Sequence, residues 1–222
     1  MSKKMMLLAL AVAALFAIPS VASAQEIHFT NVTTFTGTGP AGFLTATNEP
    51  KLSSTATSAT GSFNAGSSTT GSVKLTFTGV SAELLGIKGN CNTVGDASGV
   101  VTANGTFHLI TFVNSKGEKK PAILVTPDTT TLICLGFSRI DVTGNGLIGT
   151  ITSPACGASS KELKVSFEVE GSTQKHLEYT GLKYDLQAHT ENEKGEISTT
   201  STAALSGSAT LSSATQGTLE CT

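Results

Sequence analysis

Beyond residue 24, no stretch of the chain keeps a 3.6-residue apolar period for three turns, which argues against a helical core. What recurs instead is alternation at period two. Val73, Leu75 and Phe77 alternate with Lys74, Thr76 and Thr78. Leu163, Val165, Phe167 and Val169 alternate with Lys164, Ser166, Glu168 and Glu170, giving a strand with one charged face. Leu182, Tyr184, Leu186 and Ala188 continue the pattern, with Lys183, Asp185, Gln187 and His189 outward. The one candidate for a helical turn is Glu83–Ile87, and Gly86 weakens it. Gly, Asn and Pro punctuate these runs. The expected fold is therefore all-β: an antiparallel β-sandwich or β-barrel of about ten strands.

The strongest local signal runs from Thr131 to Cys156. Leu132 to Phe137 reads as a strand buried on both faces, as does Thr106 to Val113. Gly144-Asn145-Gly146 supplies the positive-φ positions of a tight hairpin returning through Leu147–Thr152. Ala122–Thr126 is a short strand between Pro121 and Pro127. Residues 26 to 47 read as two strands joined through Gly37–Gly42, with a bulge where Phe29, Val32 and Phe35 break strict alternation. The Ser/Thr-rich stretch at 51–72 is either a flexible linker or a Thr-rich edge strand. A second such tract, Ser198–Thr215, carries Ala203, Leu205, Ala209 and Leu211 at period two, which favours strands.

The N-terminus sets the expected compartment. Lys3 and Lys4 precede an apolar run from Met5 to Ile18, and Ala22-Ser23-Ala24 forms a small-x-small junction before Gln25. Residues 1–24 read as a signal peptide cleaved after Ala24, since the run is shorter than the ~20 residues a membrane span needs. Residues 25–222 then form a single β domain, secreted and without stable membrane insertion. Lys3 and Lys4 are two of the 14 Lys and Arg residues, while all 16 Asp and Glu follow the junction. The remaining chain is mildly acidic with one arginine, Arg139, so it offers no footprint for nucleic acid.

Cys91, Cys134, Cys156 and Cys221 all lie beyond the junction. An even count in an exported chain favours two disulfides. Cys91–Cys134 with Cys156–Cys221 is the expected pairing, because nested or crossed schemes need longer closures. No CxxC or CxxH pair suggests zinc, and no cofactor or metal is expected.

Motifs for chemistry fail on context. Gly37–Gly42 and Gly144–Gly149 both match GxGxxG, but strands rather than helices follow them, so these are turn glycines. Ser172–Lys175 matches SxxK within a hairpin turn and has no KTG partner. His28, His108, His176 and His189 form no HxH or HExxH. His176 and His189, with Glu178 or Asp185, could approach one another on adjacent strands, although a solvated polar face is the simpler reading. Glu168, Glu170, Glu178 and Asp185 alternate toward solvent. Asp96, Asp128 and Asp141 give no DxD pattern, and Asp141 is expected to pair locally with Arg139. Asn31 and Asn104 head glycosylation sequons, relevant only in a glycosylating host. With no Trp and only Tyr179 and Tyr184, sugar stacking is weakly provided for.

The Ala22-Ser23-Ala24-Gln25 junction, the Val142–Thr152 segment and the alternating strand after it resemble secreted β-rich proteins of unknown function from actinobacteria. That resemblance covers residues 70 to 190. It implies an exported β domain and transfers no catalytic residues. The expected function is non-enzymatic: an extracellular binding or cell-surface protein, its partner and oligomeric state left open. The alternative is a carrier that holds an apolar small molecule in a barrel cavity. A hydrolase built on His176 and Glu178 is a third reading.

Overall fold

A computed structural model describes residues 26–47, 51–84, 86–114, 116–136, 138–176, 178–191 and 197–221. The segment read as a signal peptide lies outside these residues, as do Phe137, Leu177 and the turn read at Asn192–Gly195. After β1 (Ile27–Thr30), the chain makes eight antiparallel passes. The first is β2 (Thr34–Gly39) and β3 (Phe43–Ala46), and the second is β4 (Leu52–Ser53) and β5 (Ala56–Phe63). The third is β6 (Thr70–Thr78) and β7 (Ser81–Leu84), and the fourth is β8 (Ile87–Thr93) and β9 (Val100–Val113). The fifth is β10 (Lys119–Pro127) and β11 (Thr130–Cys134), and the sixth is β12 (Ser138–Gly144) and β13 (Leu147–Ser153). The seventh begins as β14 (Ser159–Phe167) and leaves the wall for two small hairpins. These are β15 (Val169–Glu170) with β16 (Thr173–Gln174), and β17 (Glu178–Tyr179) with β18 (Leu182–Lys183). It resumes as β19 (Leu186–Glu191), and the eighth pass is a single strand, β20 (Ile197–Cys221).

Each pass hydrogen-bonds to the next on both sides of a waist, and the eighth bonds back to the first. The result is a closed, antiparallel, eight-stranded barrel, which resolves the choice between sandwich and barrel. Its wall divides at the waist into two rings. A long-strand ring runs β2-β5-β6-β9-β10-β13-β14-β20. A short-strand ring runs β3-β4-β7-β8-β11-β12-β19-β20. Only β20, 25 residues long, crosses the waist unbroken.

Period-two alternation decides what faces inward. Phe107, Leu109, Ile123, Val125, Leu132, Cys134, Ile140, Leu163, Val165 and Leu186 all belong to one buried core that spans both rings. A separate apolar cluster sits on the outside of the wall. There Ile110, Phe112, Ala122, Leu124 and Ile148 are buried, with Tyr179 and Tyr184 packed against them. His176 and residues 178–185 lie over this face as a strap.

Several local expectations change in this light. Gly144-Asn145-Gly146 is not a hairpin turn. β12 pairs with β11 and β19, whereas β13 pairs with β10 and β14, so the triplet carries one pass across the waist. Leu132–Phe137 is not buried on both faces, because Ile133 is only half-buried and Leu135-Gly136 enters a turn at φ 57° and 81°. Thr106–Val113 does have apolar residues on both faces, and the strap is what covers the outer one. The 51–72 stretch is neither linker nor edge: β5 lies between β2 and β6 inside the wall. Residues 26–47 form three strands, and Glu83 and Leu84 pair with Lys88 and Ile87 in the β7–β8 hairpin rather than starting a helical turn, with Leu85 outside the described residues. Leu182 belongs to β18, pairs with Tyr179 and is 60% exposed, so it does not continue into the strand of Leu186.

Cys91 joins Cys134 and Cys156 joins Cys221. The first bridge links directly opposed residues of β8 and β11 inside the short-strand ring. The second ties the β13–β14 connection to the end of β20.

Candidate functional site

The site is built at the waist, where passes change ring and cannot pack as densely as within one. Leu44, Leu52, Leu75, Phe77, Val101, Ala103, Val125, Leu132, Val142, Leu147, Leu186 and Leu205 converge there around a cavity of about 100 Å³. Ser54 and Thr130 at its edge are already satisfied. Ser54 Oγ accepts the Gly42 N–H at 3.0 Å and donates to the Gly42 carbonyl at 3.3 Å. Thr130 Oγ1 donates to the Asp128 carbonyl at 3.3 Å. The surface offered to an occupant is thus almost wholly apolar.

Both ends of the barrel are filled. In the long-strand ring Phe35, Phe63 and Phe107 meet edge-to-face, with centroids 5.1 to 6.2 Å apart. Ile27, Phe29, Val32 and Leu219 are buried with them. The short-strand ring is filled by Ala82, Cys91, Cys134, Ile140, Ala188 and Ala203.

The polar residues singled out in the sequence are dispersed. His28 Nδ1 lies 2.9 Å from Ser68 Oγ, and His189 Nδ1 lies 3.0 Å from Thr200 Oγ1. His108 stands edge-on to Tyr179 on the outer wall. His176 tilts over the Phe112 ring at 4.6 Å, and burial there pushes its pKa below the ordinary value. Glu178 lies on β17, opposite Lys183. Among the described residues, no group of three or more His, Cys, Asp or Glu side chains is placed to hold a metal ion. Both GxGxxG matches lie on strands and their links, with no helix to receive a phosphate. In the SxxK match, Lys175 is ion-paired with Glu168, which holds that carboxyl below its usual range. Arg139 does reach Asp141 (3.8 Å) but sits closer to Glu191 on β19, at 3.1 Å. Asn31 occupies an exposed positive-φ turn, and Asn104 is exposed on β9.

Two residues have roles that the motifs containing them did not announce. Gln174 is 2% exposed, and its Oε1 accepts the Leu205 N–H at 2.6 Å. Asn145 clasps the returning strap, donating from Nδ2 to the Lys183 carbonyl (2.6 Å) and accepting the Asp185 N–H at Oδ1 (2.9 Å). The flanking glycines are needed for this approach. A Cβ on Gly144 would run into the Asp185 carbonyl, and one on Gly146 would lie 2.8 Å from Leu124.

No family model, curated protein or solved structure matches the chain. Among the described residues, no helix is long and apolar enough to cross a membrane.

Proposed function

We propose that the protein is an exported, non-enzymatic binding protein whose ligand is a small apolar molecule held at the barrel waist. The observation that carries this reading is the apolar lumen of about 100 Å³ between two filled ends. Left empty, such a void costs about 2 kcal/mol in lost packing, which an occupant of the right shape restores. An apolar cavity of ~150 Å³ admits benzene or xenon, so this smaller lumen of about 100 Å³ suits a ligand no bulkier than benzene, or a slim aliphatic group. The N-terminal segment, the two disulfides and the resemblance to secreted actinobacterial β proteins support export.

Mass spectrometry of protein recovered from the exported fraction tests the reading directly. The native mass should exceed the denatured mass by a small-molecule increment. Ala103→Leu fills the lumen, and should abolish uptake of added benzene while raising stability by about 1 kcal/mol. Equal masses, together with no benzene uptake by the unaltered protein, would leave the surface-interaction reading in first place. That second reading draws on Ile87 and Ile197, which are 64% and 63% exposed at the same end of the barrel.

A further inference from the structure

With both barrel ends filled by buried side chains, an occupant of the lumen must pass through the wall. Six passes cross the waist by short links: residues 40–42, 54–55, 79–80, 94–99, 128–129 and 145–146. The eighth crosses without interruption. The seventh alone leaves the wall, between Phe167 and Leu186. Its last pairing on β20 below the break is Phe167 with Gly207, and its first above is Leu186 with Ala203. Among the described residues, β20 has no strand partner on that edge at residues 204–206.

The break is closed by a side chain. Gln174, on the β15–β16 hairpin, accepts the Leu205 N–H and donates weakly to the Glu168 carbonyl at 3.5 Å. Leu186 and Leu205, on either side of the break, both line the lumen. Outside it lies a groove of about 670 Å³ bordered by Phe167, Val169, Lys175 and Gly207. The distal strap is anchored separately, by Asn145 and by Tyr179 and Tyr184 on the outer apolar cluster. The hairpin is fastened to the wall by Gln174, whereas the exposed Glu168–Lys175 pair and the Lys175 N–H to the Glu168 carbonyl only close the hairpin on itself.

We propose that the β15–β16 hairpin is the gate of the lumen and Gln174 its latch. Swinging the hairpin outward exposes Leu205 and Leu186 to the groove and opens a lateral path for an apolar ligand. The proposal rests on the carrier reading, and the test separates the two.

Benzene exchange with the full protein is followed by NMR in the unaltered chain and in Gln174→Met, which preserves bulk but removes the acceptor. Entry and exit should both quicken by about tenfold with the affinity unchanged, because the closed state alone loses a buried hydrogen bond. Unchanged rates would overturn the gate. Should the variant fold poorly, hydrogen exchange of the Leu205 amide in the unaltered protein decides. Exchange well ahead of the β9 amides supports a local opening, and exchange only with global unfolding overturns it. Benzene binding to neither protein sinks the carrier reading, and the gate with it. Benzene binding alongside a fully protected Leu205 sinks the gate alone.

Discussion

The two rings share eight passes but are held together differently. In the long-strand ring, strands run from six residues in β2 to 14 in β9, and phenylalanines fill the interior. In the short-strand ring β3 and β7 have four residues and β4 only two, so the ladder offers few hydrogen bonds. Its interior holds no aromatic ring among the described residues: Ala82, Ala188 and Ala203, almost fully enclosed, sit beside Leu132, Ile140 and Leu186. Alanine lets the walls approach but removes little apolar area from water, and so contributes little to holding them there. The Cys91–Cys134 bridge stands where the long-strand ring has aromatic bulk. The long-strand ring joins aromatic volume to its own bridge, Cys156–Cys221, at its far end, whereas in the short-strand ring the bridge stands inside the wall without aromatic bulk beside it.

The largest effect should come from removing that tie. Replacing Cys91 and Cys134 together by alanine should cost about 4 kcal/mol in denaturant titration, from the closure of a 43-residue separation. Amide protection should fall first in β7, β8 and β11; a uniform loss across both rings would break the distinction. Phe107→Ala should cost about 3 kcal/mol, because Phe35 and Phe63 both pack on that ring. Ala203→Leu probes the opposite weakness. It should destabilise by about 2 kcal/mol through overpacking, since Ala203 has no exposed surface and belongs to the buried core.

The smallest expected effect concerns the strap. Burial against Phe112 lowers the His176 pKa, Lys175 lowers it further, and Glu168 opposes them. A lowered folded-state value means the neutral imidazole is the form the strap accommodates. Its contribution is complete above the ordinary value of about 6.5 and is lost as pH falls through the lowered one. Tyr179 and Tyr184 are the only tyrosines and there is no tryptophan, so tyrosine emission reports the strap alone. Acidification should change that emission before the barrel unfolds, and His176→Phe should remove the change.

Strand identity was legible in the sequence because alternation at period two survives wherever one face is buried, as at Val73–Phe77 and Leu163–Phe167. The favoured disulfide pairing, with the shortest closures, is the one the fold contains. What could not be read was which strand joins which ring. Alternation on either side of Gly144-Asn145-Gly146 looks the same whether the chain reverses there or continues across a waist. The distinction lies in partners such as β10 and β19, far away in sequence. Ser/Thr-rich β5 was ambiguous for a related reason: its small side chains fit a wall crossed by Phe35 and Phe107 without advertising burial. The lumen was visible only as apolar positions, and its latch, Gln174, looked like any polar residue beside a lysine.

β20 carries one further consequence. Both rings are closed by the same strand, and it follows every other strand in the chain. Until residues 197–221 have left the ribosome, the growing polypeptide can form at most an open sheet with two bare edges. Nearly every pairing that seals the barrel spans a long loop, which makes closure slow. A chain unable to complete itself early keeps both sheet edges unpaired for longer. The strand that seals the lumen thereby also sets when folding can finish.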